Sequence, residues 1–187
     1  VALQGKFKEL TGGVLTPLEI REHLIATGIP QGAGPNVGPL PDMREALDAL
    51  FGPEITNYCV STPNSSGSAA VMSASGTADA AINDLVLSAG PGPVGQPGLF
   101  YYGPGEIQLS FGNGFRCVIG AQVQRLFPVS AFAANGIMSY TLDLAAAPTS
   151  AIIAPGSTWK FQAWFRDPLA GASGFDLSDG LSIHFAL

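Results

Sequence analysis

Residues 159–166 read WKFQAWFR, and aromatic and polar side chains alternate along this run. In an extended strand successive side chains point to opposite faces, so the alternation predicts a half-buried β-strand. The face predicted to enter a hydrophobic core comprises Trp159, Phe161, Ala163 and Phe165. The face predicted to stay amphipathic comprises Lys160, Gln162, Trp164 and Arg166. Two interpretations remain for this strand, a core strand and a platform on which Trp164 meets a ligand.

The chain from Tyr58 onward shows the pattern of many short strands. Of the 187 residues 47% are apolar and only 12% are charged, while 24 Gly and 15 Pro supply the turns that short strands need. The predicted strands span residues 70–74, 84–89, 99–102, 106–111, 115–119, 136–144, 157–166 and 181–185. Asp179-Gly180 is predicted to form a turn before the last of them. We therefore expect a mainly β protein, an antiparallel β-sandwich of jelly-roll-like type.

The first 50 residues show helical periodicity instead. Apolar residues recur at i, i+4 and i+7 over residues 3–10, in a helix that we expect to begin upstream of this sequence because no capping residue precedes it. Thr16 and Glu19 form a predicted capping box before a second helix over residues 17–27. Asp42 and Glu45 form another capping box before a third helix. A three-helix segment therefore precedes the β-sandwich.

Charge density places the domain boundary. Residues 1–57 carry half of the charged side chains in less than a third of the chain. Gly52-Pro53 ends the third helix at the point where this density falls. We therefore predict a helical segment at 1–52, a linker at 53–57 and a β domain at 58–187.

Charge and hydropathy exclude two classes of partner. The net charge is −6, and Lys and Arg form no cluster that could follow the phosphates of a nucleic acid. The longest apolar runs, such as those that include residues 145–147 and 151–154, fall far short of the roughly 20 residues that span a bilayer. We expect no nucleic-acid partner and no membrane span.

The two cysteines, Cys59 and Cys117, match no metal-binding spacing. A disulfide and a pair of buried thiols are the two alternatives. We favour the disulfide, because low lysine content and Ser/Thr/Gly/Asn-rich loops are typical of extracellular proteins, in which disulfides persist. The predicted location is therefore secreted and extracellular.

Three carboxylates near the end of the chain are candidate metal ligands. Together with backbone carbonyls, Asp167, Asp176 and Asp179 could bind Ca²⁺ through oxygen, although their spacing is not that of an EF-hand. The alternative is a structural role in a turn. No other cofactor is predicted.

Three aromatic residues are candidate ligand contacts. Tyr101, Tyr102 and Trp164 could stack on sugar rings or cover a partner protein, and packing in or around the core is the alternative. Residues 99–102, LFYY, are apolar on both faces, which indicates burial between domains or subunits. His23 and His184 lie in no nucleophile motif, so we predict no catalytic residue.

Residues 15–31, LTPLEIREHLIATGIPQ, and residues 38–47, GPLPDMREAL, resemble the C-terminal end of the catalytic domain of subtilisin-like serine proteases. In that family the corresponding segment follows the helix that carries the nucleophilic serine. The resemblance covers residues 1–50 and implies that the first helix is the distal part of that nucleophile helix. The family's catalytic motifs have no counterpart in this sequence, so no catalytic residue is carried over.

Residues 58–187 resemble a β-rich C-terminal module of long secreted bacterial proteins. The shared features are Tyr58-Cys59 followed by a PNSSG run at 63–67, a second cysteine at Cys117, the WKFQAWFRD strand at 159–167 and Asp179-Gly180 before a last strand. The resemblance names a class of secreted module and implies no activity.

Together the resemblances imply the non-catalytic C-terminal portion of a secreted bacterial serine protease. Acyl transfer by a Ser-His-Asp triad would take place upstream, while the β module would stabilise the enzyme or attach it to a surface, polymer or partner. The implied partners are the rest of the catalytic domain or another subunit. Two alternatives are a structural protein that assembles into an extracellular homo-oligomer or filament, and a module that binds polysaccharide. Whether the protein is an enzyme stays open, because this chain lacks the triad.

Overall fold

A computed structural model describes residues 2–32, 38–51, 55–79, 81–146 and 149–185. The chain divides into two compact units, with the division between residues 52 and 53. Helices dominate the first unit and antiparallel strands the second. The expectation of a mainly β, antiparallel sandwich fold preceded by helices is confirmed.

The first unit contains three helices, α1 (Ala2–Thr11), α2 (Pro17–Ala26) and α3 (Met43–Phe51). The predicted capping box begins α2: Thr16 Oγ1 accepts a hydrogen bond from Glu19 N at 3.3 Å, and Glu19 Oε2 accepts one from Thr16 N at 2.7 Å. These bonds pair backbone donors that a helix start leaves free. Leu3 of α1 and Ala46 of α3 are buried, whereas α2 has no buried residue.

The second unit contains eleven described strands and one short helix. They are β1 (Ile55–Tyr58), β2 (Val71–Ser75), β3 (Val86–Gly90), β4 (Pro97–Gly103), β5 (Gly105–Phe111), β6 (Gly114–Ile119), β7 (Gln124–Arg125), β8 (Ser130–Ala131), β9 (Met138–Thr141), α4 (Thr149–Ile152), β10 (Thr158–Arg166) and β11 (Phe175–His184).

These strands form three antiparallel layers. The main sheet has the order β1-β11-β10-β4-β7, and β8 also pairs with β4. The second sheet has the order β2-β3-β9, and β5 and β6 form a separate hairpin. The hydrophobic core combines side chains of the main and second sheets, while the hairpin contacts the other face of the main sheet through the side chain of Gln162 on β10.

Strand β10 presents the predicted face to the core. Trp159 is 6% exposed, and Phe161, Ala163 and Phe165 are fully buried. The Phe161 ring stacks on Tyr102 of β4 with centroids 5.5 Å apart, and the Phe165 ring meets Phe132 edge-on at 5.0 Å. Such aromatic contacts add to the free energy of burying the rings.

Two boundaries differ from the sequence prediction. Residues 55–57, predicted as linker, belong to β1, which pairs with β11. Strand β11 begins at Phe175, so Asp179 and Gly180 lie within the strand and form no turn. A Cβ on Gly180 would come within 2.3 Å of the Tyr58 ring, so this glycine permits close packing. The contact between Gly180 and the distant Tyr58 therefore outweighs the local preference of Asp-Gly for a turn.

The predicted disulfide is present between Cys59 and Cys117, whose Cα atoms are 6.0 Å apart. It links the end of β1 to β6 of the hairpin and closes a loop across a sequence separation of 58 residues. In the chain-entropy model, closing such a loop removes conformational freedom from the unfolded chain and stabilises the fold by about 4 kcal/mol.

We expect the double substitution Cys59→Ser/Cys117→Ser to lower the free energy of unfolding of the β unit by about 4 kcal/mol. Guanidinium titration followed by tryptophan fluorescence measures this unit, because both tryptophans, Trp159 and Trp164, belong to it. Reduced wild type should match the variant. Equal midpoints for oxidised wild type and variant would contradict the prediction.

Candidate functional site

The candidate site is a cleft of about 560 Å³ between the hairpin and the outer face of the main sheet. Its volume falls within the range of small-molecule sites. Seven lining side chains are apolar or aromatic and two are arginines. The lining residues are Leu99, Tyr101, Phe111, Arg116, Val123, Arg125, Trp164, Phe175 and Leu177.

The register of the main sheet forms the floor of this cleft. Trp164 on β10 lies opposite Leu99 of β4 and opposite Leu177 of β11. Directly opposed residues of antiparallel strands share a face, so these three side chains lie together on the face that points away from the core. The Phe175 ring packs between Trp164 at 5.6 Å and Phe111 of β5 at 5.4 Å, measured between centroids. An aromatic wall therefore joins the sheet to the hairpin.

The buried side chain of Gln162 holds the hairpin in place. Its Oε1 accepts hydrogen bonds from Cys117 N at 2.8 Å and from the Tyr101 hydroxyl. Its Nε2 donates to Phe115 O at 2.8 Å and to Ser178 O at 2.7 Å. All the usual bonds of the amide are thus made within the protein. The sequence pattern placed Gln162 on the amphipathic face of β10, and in the structure the hairpin covers this side chain.

Tyr101 contributes a neutral, fixed ring. Burial raises the pKa of its hydroxyl, and the positive charge of Arg116 partly offsets that rise. The hydroxyl donates to Gln162 Oε1, which holds the end of the side chain in place. The side chain therefore serves the cleft mainly as an apolar surface.

Two arginines bring positive charge to the cleft of an acidic protein. Arg116 of β6 donates from Nε to Val118 O at 2.9 Å. This bond does not involve the two terminal nitrogens of the guanidinium group. Arg125 of β7 lies opposite Tyr101 in the sheet. Within the described residues neither arginine forms an ion pair with a carboxylate. This pair could not be predicted from the sequence, because nothing in the spacing of Arg116 and Arg125 indicates that both line one cleft.

The structure separates the three predicted ligand-binding aromatics. Trp164 and Tyr101 line the cleft. Tyr102, by contrast, is fully buried in the core against Trp159 and Phe161. Adjacent residues of a strand point to opposite faces, so Tyr101 and Tyr102 cannot share one site. The assignment of Tyr102 as a ligand contact is therefore wrong.

The three aspartates predicted to bind Ca²⁺ do not form one cluster, although Asp167 lies near enough to Asp176 for their charges to interact. Both oxygens of Asp179 accept hydrogen bonds, from Met72 N at 2.6 Å and from Asn57 Nδ2 at 2.9 Å. Asp167 instead accepts a hydrogen bond from Ser65 N at 2.8 Å. In the described ranges, no group of three or more His, Cys, Asp or Glu side chains could hold a metal ion. These carboxylates tie neighbouring segments to the main sheet.

Asp176 and Asp167 are both buried, and each has one carboxylate oxygen without a hydrogen-bond partner in the described part of the chain. Burial raises the pKa of Asp176, and the negative charge of Asp167 adds to the rise. Hydrogen bonds from Leu177 N and Thr62 Oγ1 act in the opposite direction. Ionising Asp176 therefore costs more free energy in the folded protein than in the unfolded chain.

No protein-family model matches this chain, and no curated protein or solved structure matches it significantly. Among the described residues, no helix combines the length and apolar character needed to cross a membrane.

Replacing Gln162 by Leu should destabilise the β unit by at least about 3 kcal/mol, since each buried group left without its hydrogen bond costs about 1–3 kcal/mol. The orphaned groups include Cys117 N and Ser178 O. Gln108→Leu is the matched control, because Gln108 is exposed on β5 and its loss should change stability by less than about 0.5 kcal/mol. Equal unfolding midpoints in urea for the two variants would refute the role of Gln162.

The free energy of unfolding of the Asp176→Asn variant should increase relative to that of wild type as pH rises. The folded-state pKa of Asp176 lies above the unfolded value, so its contribution to stability is present below the unfolded pKa and is lost as pH rises through the folded pKa. Unfolding free energies measured from about pH 3 to pH 7 test this, because the unfolded carboxyl titrates near 3.9.

Asp143→Asn provides a control of opposite sign. Hydrogen bonds, first of all from Asn83, lower the pKa of Asp143, so its contribution is present above the unfolded pKa and is lost as pH falls through the folded pKa. This variant should therefore lose stability relative to wild type as pH rises. If both variants had the same pH slope, the assignment of Asp176 would be wrong.

Proposed function

We propose that this chain is the non-catalytic C-terminal portion of a secreted subtilisin-like serine protease, and that its β-sandwich binds a ligand or partner in the cleft. The observation that carries the binding role is the cleft itself, in which Trp164 and Tyr101 converge with two arginines that form no ion pair within the described residues. An apolar concave surface with a few convergent polar groups is the usual form of a binding site.

Two features of the helical unit support the protease origin. The Thr16-Glu19 capping box and Pro17 form a helix start of the threonine-proline kind that the resemblance implies. Helix α2 buries no residue, and Leu18 and Ile25 are 58% and 48% exposed. Exposed apolar side chains on a short helix suit contact with further protein, and we assign that contact to the rest of the catalytic domain.

Catalysis is assigned to that upstream domain and not to this chain. His23 Nε2 lies 2.6 Å from the carbonyl oxygen of Ala46, so this nitrogen is occupied by the backbone. His184 Nδ1 lies 2.9 Å from Thr158 Oγ1, but no carboxylate hydrogen-bonds to the ring in the described residues. A nucleophile, a base and an orienting carboxylate therefore do not converge there.

The disulfide supports secretion, because such bonds persist in oxidising compartments. In this setting the β module would keep its cleft formed outside the cell and would attach the enzyme to what the cleft binds.

The natural full-length protein should react with a fluorophosphonate probe of serine hydrolases, and residues 1–187 alone should not. In-gel fluorescence after labelling measures both. A full-length protein that resists the probe while folded would refute the protease assignment.

The binding role is tested with the neutral apolar dye N-phenyl-1-naphthylamine and the 187-residue chain. We expect the dye to bind in the cleft and to quench Trp164, and Phe111→Ala to weaken binding about three-fold or more, because it removes apolar contact area. Phe127→Ala is the matched control, since Phe127 is 64% exposed and lies outside the cleft. Absence of dye binding to wild type, or equal losses in the two variants, would contradict the binding role.

A further inference from the structure

We propose that the cleft selects an apolar carboxylate, an acyl or aryl acid whose carbon skeleton packs on the aromatic wall and whose carboxylate binds Arg116 and Arg125. This inference rests on the proposed binding role of the cleft and adds to it the chemical class of the ligand.

The walls favour an apolar body. The side chains that join the sheet to the hairpin, Trp164, Phe175 and Phe111, form a continuous series of ring contacts. Leu99 and Leu177 complete the floor. Transfer of a hydrocarbon skeleton from water onto this surface is favourable in proportion to the apolar area that it buries.

The same walls disfavour ligands that carry many polar groups. The Tyr101 hydroxyl already donates to Gln162, and Arg116 Nε already donates to Val118 O. Hydroxyls of a sugar, or amides of a peptide, would lose water on entry and find few partners in exchange. The small number of free hydrogen-bonding groups in the cleft thus argues against a polysaccharide ligand, which the sequence analysis considered because of the aromatic residues.

The arginines supply what a single anionic group needs. A guanidinium presents paired N–H donors whose geometry matches the two oxygens of a carboxylate. Arg116 lies near enough to Tyr101 for its charge to lower the pKa of that hydroxyl, which places positive charge beside the cleft wall. None of the nine lining side chains is acidic, so an entering carboxylate meets no like charge there.

The test compares 2-naphthoate with 2-naphthamide, and decanoate with decanamide, because each pair differs in charge and hardly in shape. Binding to the 187-residue chain is measured by displacement of N-phenyl-1-naphthylamine. We expect each acid to bind wild type about ten-fold more tightly than its amide, and 0.5 M NaCl to reduce that preference. Equal affinities within each pair would overturn the inference.

Arginine variants locate the anionic group. Arg116→Gln and Arg125→Gln should each weaken binding of the acids about five-fold or more and should weaken binding of the amides and the dye much less. Arg21→Gln is the matched control, because Arg21 is exposed on α2 and does not line the cleft. Arg125 is exposed on a two-residue strand, so its variant tests the inference even if the bond from Arg116 to Val118 proves necessary for folding. Equal losses in all three variants would refute the proposed contact.

Two further probes separate the alternatives. Tighter binding of an N-acetylated Ala-Leu-Phe acid than of decanoate and 2-naphthoate would replace the inference with recognition of a peptide C-terminus. Tighter binding of an oligogalacturonate would replace it with recognition of an acidic sugar. If the dye does not bind wild type, the binding role itself fails. If the dye binds but the acids show no advantage over the amides, only the present inference fails.

Discussion

The amide of Gln162 is the interaction on which the arrangement of the β unit depends. Four hydrogen bonds join this one side chain on β10 to β4, β6 and β11. A hairpin of two strands has little stability alone, so β5 and β6 need such an attachment to remain on the main sheet. With the hairpin attached, the outer face of that sheet becomes the floor of a cleft and ceases to be an ordinary solvated face.

The main sheet is therefore covered on both faces, and this explains the composition of its central strands. One face of β10 meets the second sheet in the core, and the other meets the hairpin. A strand covered on both sides favours apolar residues at successive positions, as residues 99–102 of β4 show. The aromatic richness of these strands follows from a third layer, and no partner subunit is needed to account for it.

The sequence predicted what short-range periodicity controls. Alternation identified the core face of β10, and the Thr16-Glu19 spacing identified the start of α2. It missed the buried polar residues, because their burial depends on distant partners: Asp179 accepts a hydrogen bond from Met72 N across 107 residues of chain. Of the site, Trp164 and Tyr101 could be predicted as aromatic candidates. Arg116 and Arg125 could not, since the two residues reach one cleft only through the pairing of β7 with β4 and the packing of the hairpin on the main sheet.

Cys117 takes part in both the disulfide and the hydrogen bonds that hold the hairpin to the main sheet. Its Sγ is bonded to Cys59, its N–H donates to Gln162 Oε1, and its carbonyl oxygen accepts from the Tyr58 hydroxyl at 2.9 Å. The residue is thus fixed by its side chain and by both of its backbone polar groups, and Arg116 precedes it directly on β6. A fixed backbone lowers the entropy lost when a flexible arginine engages a ligand. The bonds that hold the hairpin to the sheet therefore also prepare one of the two cationic groups of the cleft for binding.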